Sequence, residues 1–238
     1  MPAPAAVRTP FTAPRRVPGS RFTVPSLRPR LLERERLSRA MLDAIAEARL
    51  VLVVAGAGFG KTTALAQALA EAPADWALSW IAVDRLDRAP ARLFRVLVDS
   101  INATLHHADA LDADTLTRMV GSSEAGARAA AAEVAGWLAE CEVGRFVWVW
   151  DDLHVIDDAV TWNWLDHFIG LLPERVTCVM ASREPPRLPL ARRRAAGHLA
   201  EFPQSRLRFS TDEAAAFLAR LGEASSEQLA QAWIRRSQ

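Results

Sequence analysis

The stretch that decides the fold is LVLVVAGAGFGKTT, residues 50–63. Its first five residues are all apolar, a run too short for a helix of its own and typical of a strand buried on both faces of a sheet. The glycine-rich segment AGAGFGKTT follows directly, and the Ala- and Leu-rich segment 61–72 after it is predicted to be a helix that ends at Pro73. A glycine-rich loop between a strand and a helix is the context in which phosphate-binding loops occur.

The loop departs from the strict pattern G-x-x-x-x-G-K-[ST] at its first position, where Ala55 replaces glycine. Gly60, Lys61 and Thr62 meet the other requirements, and further glycines give the backbone the freedom to turn successive N–H groups inward. Lys61 is expected to reach the β- and γ-phosphates, and the Thr62 hydroxyl to hold Mg²⁺. The residues predicted to contact a nucleotide here are Gly56, Ala57, Gly58, Phe59, Gly60, Lys61, Thr62 and Thr63. The alternative is an ordinary glycine-rich turn with a chance Lys-Thr.

The placement of Lys61 supports the phosphate-loop interpretation. The sequence contains 29 lysines and arginines together, and Lys61 is the single lysine among them. A phosphate loop needs a compact ammonium at this point, where a planar guanidinium fits poorly. A strong arginine bias has therefore left lysine at the one position that requires it.

Two acidic residues follow another apolar run, FVWVW at residues 146–150. A phosphate loop needs a carboxylate at the end of a neighbouring strand, and Asp151 is expected to hold Mg²⁺ directly or through water. Asp152 is then placed to orient or deprotonate an attacking water. The alternative is a pair of acids that cap a strand at a surface loop.

Arg183 follows a further apolar run, residues 176–181. Ligands of open α/β sheets bind outside the carboxyl ends of the strands, so Lys61, Asp151 and Arg183 are expected to converge on one crevice. Arg183 could contact the γ-phosphate there and report whether it is present. The alternative is a surface arginine after a strand.

The whole chain alternates between apolar strands and helical segments, which predicts a parallel sheet covered on both faces. We expect a three-layer α/β/α P-loop NTPase fold with a five-stranded sheet. Segment 106–122 is expected to be loop-like, with at most a short helical turn, and SxxE at residues 210–213 to be a helix capping box. The predicted strands are 50–54, 77–83, 146–150, 176–181 and 199–202, and the predicted helices are 33–49, 61–72, 90–105, 123–140, 160–172, 213–221 and one beginning at 226.

The composition is that of an ordinary globular protein: 238 residues, 50% hydrophobic and 24% charged, with a net charge of +1. Nothing in this balance demands a nucleic-acid or membrane partner. The two cysteines fit a reducing, cytoplasmic compartment better than a disulfide-stabilised secreted fold. Residues 1–20, rich in Pro, Ala and Arg, are expected to be a disordered leader, with a transit peptide as the alternative.

Three weaker features have a structural and a functional interpretation. Arg192, Arg193 and Arg194 fit a solvated helix face better than a nucleic-acid site. His154 could face the predicted crevice, although a lone histidine there is structural at least as often. Four tryptophans are expected to be core residues rather than a base-stacking platform: Trp148, Trp150, Trp162 and Trp164.

The chain resembles the nucleotide-binding domain of the STAND-class signal-transduction ATPases, and in particular the large LuxR-type transcriptional regulators related to the bacterial maltose-regulon activator. The resemblance covers residues 21–238 and is carried by FTVPSLRPRLLERERL, AGAGFGKTT, VWVWDDLHVID and VMASREPPRLPLARRRAAG. It implies binding of ATP or ADP with Mg²⁺. In this family the first loop position is often alanine, so Ala55 fits the resemblance. It also implies that Arg183 senses the phosphate and that Arg28 and Arg30 lie near the adenine.

The resemblance also predicts how the chain is organised. Residues 21–209 are expected to form the nucleotide-binding domain, and residues 210–238 to begin a helical segment. Winged-helix, sensor and helix-turn-helix domains would normally follow in this family, so we expect no direct DNA contact from this chain. Asp87-Arg88 departs from the Asp-Asn pair that is usual after the second strand.

Three functions remain open at the level of sequence. A regulatory ATPase domain would act as a slow nucleotide switch and would assemble with itself or with other regulator chains. A truncated, non-catalytic interaction module is the alternative. A small-molecule kinase is a third possibility, in which Arg192–Arg194 would belong to a lid over the phosphates.

Overall fold

The centre of the molecule is a five-stranded sheet in which all neighbouring strands run parallel, in the order β2-β3-β4-β1-β5. The computed structural model describes residues 22–27, 31–105 and 110–220. The predicted parallel five-stranded sheet is confirmed. The strands are β1 (Leu50–Val54), β2 (Trp76–Ala82), β3 (Arg145–Asp151), β4 (Val176–Ser182) and β5 (Leu199–Pro203).

Helices cover both faces of the sheet because every central strand is apolar on both sides. In β3 the bulky side chains Phe146, Trp148 and Trp150 face one core, whereas Val147 and Val149 face the other. The valine face packs against α1 (Glu35–Glu47) and α2 (Lys61–Ala70), and the aromatic face packs against α3 (Pro90–Thr104), α4 (Ala113–Ser122), α5 (Glu124–Glu140) and α6 (Ala159–Leu171). The remaining helices are α7 (Leu190–Ala195), α8 (Gln204–Leu207) and α9 (Thr211–Arg220).

The tryptophans are core residues, as the sequence predicted. Trp148 is fully buried, its indole N–H donates to the Ser100 hydroxyl at 2.8 Å, and its ring meets Phe168 edge to face. Trp150, Trp162 and Trp164 are also buried. No base-stacking platform is formed by these rings.

The prediction of a loop over residues 106–122 is wrong for most of its described part. Residues 113–122 form helix α4, which begins after Asp112. The Asp112 carboxylate accepts the N–H groups of Asp114 and Thr115, and Leu116 is buried against the aromatic core. The polar residues that suggested a loop are thus a helix cap and an exposed helix face.

The strand order also differs from the expectation that the acidic strand neighbours the loop strand. Strand β4 lies between β1 and β3, and its Ser182 pairs with Val54. The strand that precedes Arg183 is therefore the one next to the loop strand.

The predicted capping box at the start of α9 is confirmed, because Ser210 and Glu213 exchange backbone-to-side-chain hydrogen bonds at 2.8 and 3.1 Å.

Parts of the sequence interpretation cannot be compared with the structure. The leader at residues 1–20 and the helix expected from residue 226 lie outside the described residues. Within the described ranges, no helix has the length and apolarity needed to cross a bilayer.

Candidate functional site

The glycine-rich segment forms a tight loop between β1 and α2. Gly58 and Gly60 have φ values of 79° and 74°, a left-handed conformation that glycine adopts without steric cost. Gly60 is the residue before α2, which begins at Lys61, so the positive end of the helix dipole points into the loop. The Ala55 N–H donates to the Ser182 carbonyl at 3.2 Å and fixes the start of the loop to β4. This is the geometry of a phosphate-binding loop.

The Lys61 side chain lies inside this loop. Its Nζ donates to the carbonyl oxygens of Ala55 at 2.8 Å and Gly56 at 3.0 Å, and only 8% of the residue is exposed. Burial lowers the pKa of Lys61, the charge of Arg183 acts in the same direction, and Asp151 and Asp152 act against it. The charges of all four side chains are therefore coupled across one crevice.

The Thr62 hydroxyl and the Asp151 carboxylate meet although β1 and β3 are not neighbours. Thr62 Oγ1 donates to Asp151 Oδ2 at 2.7 Å, and the Asp152 N–H donates to Asp151 Oδ1 at 2.8 Å. Asp151 is almost fully buried, and this burial raises its pKa; the charge of Asp152 adds to the effect, while the bond from Thr62 opposes it.

These oxygen atoms fit a magnesium ion. Mg²⁺ is bound through hard oxygen donors, few of them from the protein, and it keeps several waters. A hydroxyl and a buried carboxylate 2.7 Å apart are such a pair, and the positive charge of an ion that they hold would compensate the cost of ionising Asp151.

Asp152 has an unusual backbone. Its φ of 59° is the one positive value among the non-glycine residues that the structure describes. A left-handed aspartate is tolerated but strained, and such strain often occurs at functional sites. The side chain is 49% exposed, so Asp152 faces the open crevice, whereas Asp151 points inward.

Arg183 lies directly after β4, at the same edge of the sheet as the loop. Its side chain is exposed, yet its charge lowers the pKa of both Lys61 and His154. The structure thus brings Lys61, Thr62, Asp151, Asp152 and Arg183 to one crevice.

A cavity of about 530 Å³ adjoins the loop. Its walls are the loop, the first half of α2, the segment before α1 and the chain around α9. Predicted nucleotide contacts Ala57, Gly58, Phe59, Gly60 and Thr63 are among the residues that line it, together with Leu31, Leu32, Arg34, Ala64, Gln67, Leu207, Arg208, Phe209 and Phe217. Arg28 and Arg30, expected near the adenine, lie outside the described residues.

Two residues of this region have no signal in the sequence. Gln204 follows β5, and its Oε1 accepts the Gly56 N–H at 3.2 Å, so it supports the loop from 148 positions away. Arg34 joins the segment before α1 to the chain around α9, where it bonds to the Leu207 carbonyl and the Glu213 carboxylate. Only a three-dimensional arrangement could reveal such distant pairs.

Two of the three arginines of the run 192–194 are engaged in ion pairs. Arg193 bonds to Asp166, and Arg194 pairs with Glu201 at 2.9 Å. These pairs hold α7 against α6 and β5. The arrangement agrees with a solvated helix face and gives the kinase-lid interpretation no support.

Comparison with known proteins identifies the relatives of this chain. No family model matches it. It is 33% identical over 171 residues to the HTH-type transcriptional regulator MalT of Vibrio cholerae, an alignment that covers 71% of this chain and 18% of that protein. This chain is a homologue of part of the MalT transcriptional regulators. MalT of Klebsiella pneumoniae (strain ATCC 700721) is 32% identical over 190 residues, covering 77% of this chain and 20% of that protein.

The relatives confirm the resemblance to the large LuxR-type regulators. The chain spans about one fifth of the length of the MalT proteins it matches. Among solved structures, the Walker-type ATPase PABY2304 of Pyrococcus abyssi is similar, with a TM-score of 0.51 and 16% identity over 86% of this chain and 63% of that one. This similarity shows the P-loop ATPase fold.

Proposed function

We propose that this chain is the ATP-binding, slowly hydrolysing switch domain of a MalT-type regulator. The observation that carries the proposal is the convergence of Lys61, Thr62 and Asp151 at the start of α2, with the Thr62 hydroxyl 2.7 Å from the carboxylate. The homology to transcriptional regulators supports a regulatory rather than a metabolic role.

The loop and Lys61 would bind the phosphates. The N–H groups around Gly58 and Gly60 and the first turn of α2 supply partial positive charge. Lys61 adds a full charge, and its two bonds to loop carbonyls would be exchanged for bonds to phosphate oxygens. A charged acceptor makes a stronger bond with the ammonium than a carbonyl does, so this exchange is favourable.

Thr62 and Asp151 would hold Mg²⁺ at the β- and γ-phosphates. The ion supplies positive charge that neutralises the phosphate oxygens. Asp152 would orient or deprotonate the attacking water, and Arg183 would contact the γ-phosphate from the end of β4. Hydrolysis is expected to be slow because Asp152 is half exposed, so the described residues shield the water poorly from bulk solvent.

The cavity beside the loop would take the adenosine. Its volume of about 530 Å³ lies in the range of small-molecule sites, and its walls are largely apolar and aromatic. It is continuous with the loop residues, so one nucleotide could place its phosphates at Lys61 and its base against Phe209 and Phe217. Contacts of Arg28 and Arg30 with the base remain part of this proposal.

A switch needs an element whose position depends on the nucleotide. The chain around α9 is such an element, because it forms one wall of the cavity and is joined to the rest of the domain through Arg34. In the proposed organisation, residues 210–238 begin the segment that carries the signal onward. The bound nucleotide would thereby control self-association or assembly with other regulator chains.

The test is a titration of the purified chain with a fluorescent ATP analogue and Mg²⁺. Lys61→Met keeps the buried stem of the side chain and removes the charge, so it should abolish saturable binding without unfolding the domain. Arg128→Ala is the matched control: it removes an exposed cation that pairs with Glu124 on the same helix, and binding should not change.

Turnover separates the switch from its alternative. A slow release of phosphate that Asp152→Asn abolishes supports the ATPase switch. Binding without any turnover supports the non-catalytic module, and an unchanged rate in Asp152→Asn removes the proposed role of that carboxylate. Equal binding by wild type and Lys61→Met would overturn the site itself.

A further inference from the structure

His154 lies in the same crevice and has no role in the proposal so far. It is the middle residue of a single 3₁₀ turn, Leu153–Val155, that begins after the left-handed Asp152. Leu153 is fully buried, and the Val155 N–H returns to the Asp152 carbonyl at 3.2 Å. The turn is therefore fixed, and it holds the imidazole beside the Asp152 side chain.

The imidazole has one nitrogen without a partner. Nδ1 is buried and makes no hydrogen bond with any residue that the structure describes. Asp152 Oδ1 lies 3.7 Å from Nδ1, too far for a hydrogen bond. A movement of the carboxylate by roughly 1 Å would close this distance to an ordinary hydrogen bond.

The environment of His154 favours the neutral form of its imidazole. Burial lowers its pKa, the charges of Arg183 and Lys61 act in the same direction, and Asp152 acts against them. A neutral imidazole carries one N–H and one acceptor nitrogen, and the bond made by one nitrogen decides which carries the proton. A buried Nδ1 beside a carboxylate oxygen is best paired when it carries the proton and donates it in a hydrogen bond.

We propose that His154 is a positioning residue that donates its Nδ1–H to Asp152 Oδ1 and holds this carboxylate in the orientation in which it meets the attacking water. The inference rests on the proposed ATPase function. The Asp152 side chain is half exposed and accepts no hydrogen bond among the contacts of the described residues. One hydrogen bond from His154 would therefore hold this side chain in a single rotamer.

Three variants separate this role from a merely structural one. Asn places an amide N–H near the position of Nδ1, whereas Gln places one near Nε2. His154→Asn should therefore keep turnover within about threefold of wild type, while His154→Gln and His154→Ala should lose roughly 10- to 100-fold in kcat, the cost of a misplaced catalytic group. The affinity for the ATP analogue should stay within about twofold in all three, because His154 acts only through Asp152.

A second measurement does not depend on turnover. Nitrogen-15 NMR of the imidazoles, with His154 assigned through His154→Asn, reports which ring nitrogen carries the proton. The expected result is the Nδ1–H form in wild type and its loss in Asp152→Gly. An Nε2–H form that is indifferent to Asp152→Gly, or a His154→Asn variant as slow as His154→Ala, would overturn the proposal. Failure of ATP binding in wild type would instead count against the proposed function, while the NMR result would still decide the contact.

Discussion

The contact between Arg34 and the chain around α9 leads to the sharpest prediction for the cavity wall. The Arg34 guanidinium donates to the carbonyls of Leu207 and Arg208, each at 2.8 Å. It also pairs with the Glu213 carboxylate through two bonds of 3.0 and 3.2 Å, and it stacks over the Phe209 ring at 4.7 Å. Only 8% of the Arg34 side chain and 13% of the Glu213 side chain are exposed.

Arg34→Ala should open α9 without unfolding the domain. Removing one partner of a buried ion pair costs about 3–5 kcal/mol, because the other charge is left without compensation. Helix α9 has little other packing to offset this loss of stability. Its own apolar cluster is separate from the two cores of the sheet, and its buried members are Ala214 and Leu218. At about 1.4 kcal/mol per factor of ten, the opening equilibrium of α9 should rise by at least roughly 100-fold.

Amide hydrogen exchange measures this opening directly. Amides of α9 should exchange at least about 100-fold faster in Arg34→Ala, whereas amides of β1 and β4 should keep their protection. ATP affinity should fall in parallel because Phe209 and Phe217 line the cavity. The matched control is Arg39→Ala, which removes an exposed pair with Glu35. It should change neither the free energy of opening of α9 nor that of ATP binding by more than about 0.5 kcal/mol. Unchanged exchange in α9, or an equal loss of protection across the sheet, would refute the reasoning.

The same pair makes α9 sensitive to acid. Burial alone would raise the pKa of Glu213, but the hydrogen bond from Arg34 and the bond from the Ser210 N–H outweigh it and lower this pKa. A lowered acid pKa contributes stability above the ordinary carboxyl value of about 4.3, and this contribution is lost as pH falls through the folded-state value. Exchange in α9 should therefore accelerate below about pH 4 in wild type and not in Glu213→Gln.

Further expectations concern the loop and the acidic pair. Thr62→Val removes the hydroxyl that meets Asp151, so Mg²⁺ should raise ATP affinity about tenfold less than in wild type, as titrations with and without EDTA would show. Asp152→Gly relieves a strained backbone and should raise the free energy of unfolding in urea by about 0.5–1 kcal/mol while turnover disappears. Gln204→Ala should speed exchange of the Gly56 amide about fivefold, the value of one net hydrogen bond of about 1 kcal/mol, whereas Gln204→Glu keeps an acceptor and should not.

The sequence predicted the position of the glycine-rich loop and of the residues beside it because the loop is a local feature. The conformation of residues 55–63 depends on residues within the segment itself, since the left-handed glycines and the first turn of α2 are contiguous. Asp151 and Arg183 could be added because parallel strands end at one edge of a sheet. That argument needs no knowledge of strand order, which explains why it succeeded although β4, not β3, lies next to β1.

The cavity beside the loop could not be predicted in the same way. Arg34 and Glu213 are 179 positions apart, and neither lies in a motif that points to the other. Gln204 looks like an ordinary turn residue until β5 is placed beside β1. Helix α4 was missed because its cap and exposed face are polar, and only the packing of Leu116 and Val120 shows which side is buried.

The central claim is that Lys61, Thr62 and Asp151 form one Mg²⁺–nucleotide site. The most direct test is a crystal structure of the chain with Mg²⁺ and a non-hydrolysable ATP analogue. We expect Lys61 Nζ to leave the carbonyls of Ala55 and Gly56 for the β- and γ-phosphates, with Thr62 and Asp151 both at the ion. A nucleotide bound elsewhere, with Lys61 still on the loop carbonyls, would contradict the account.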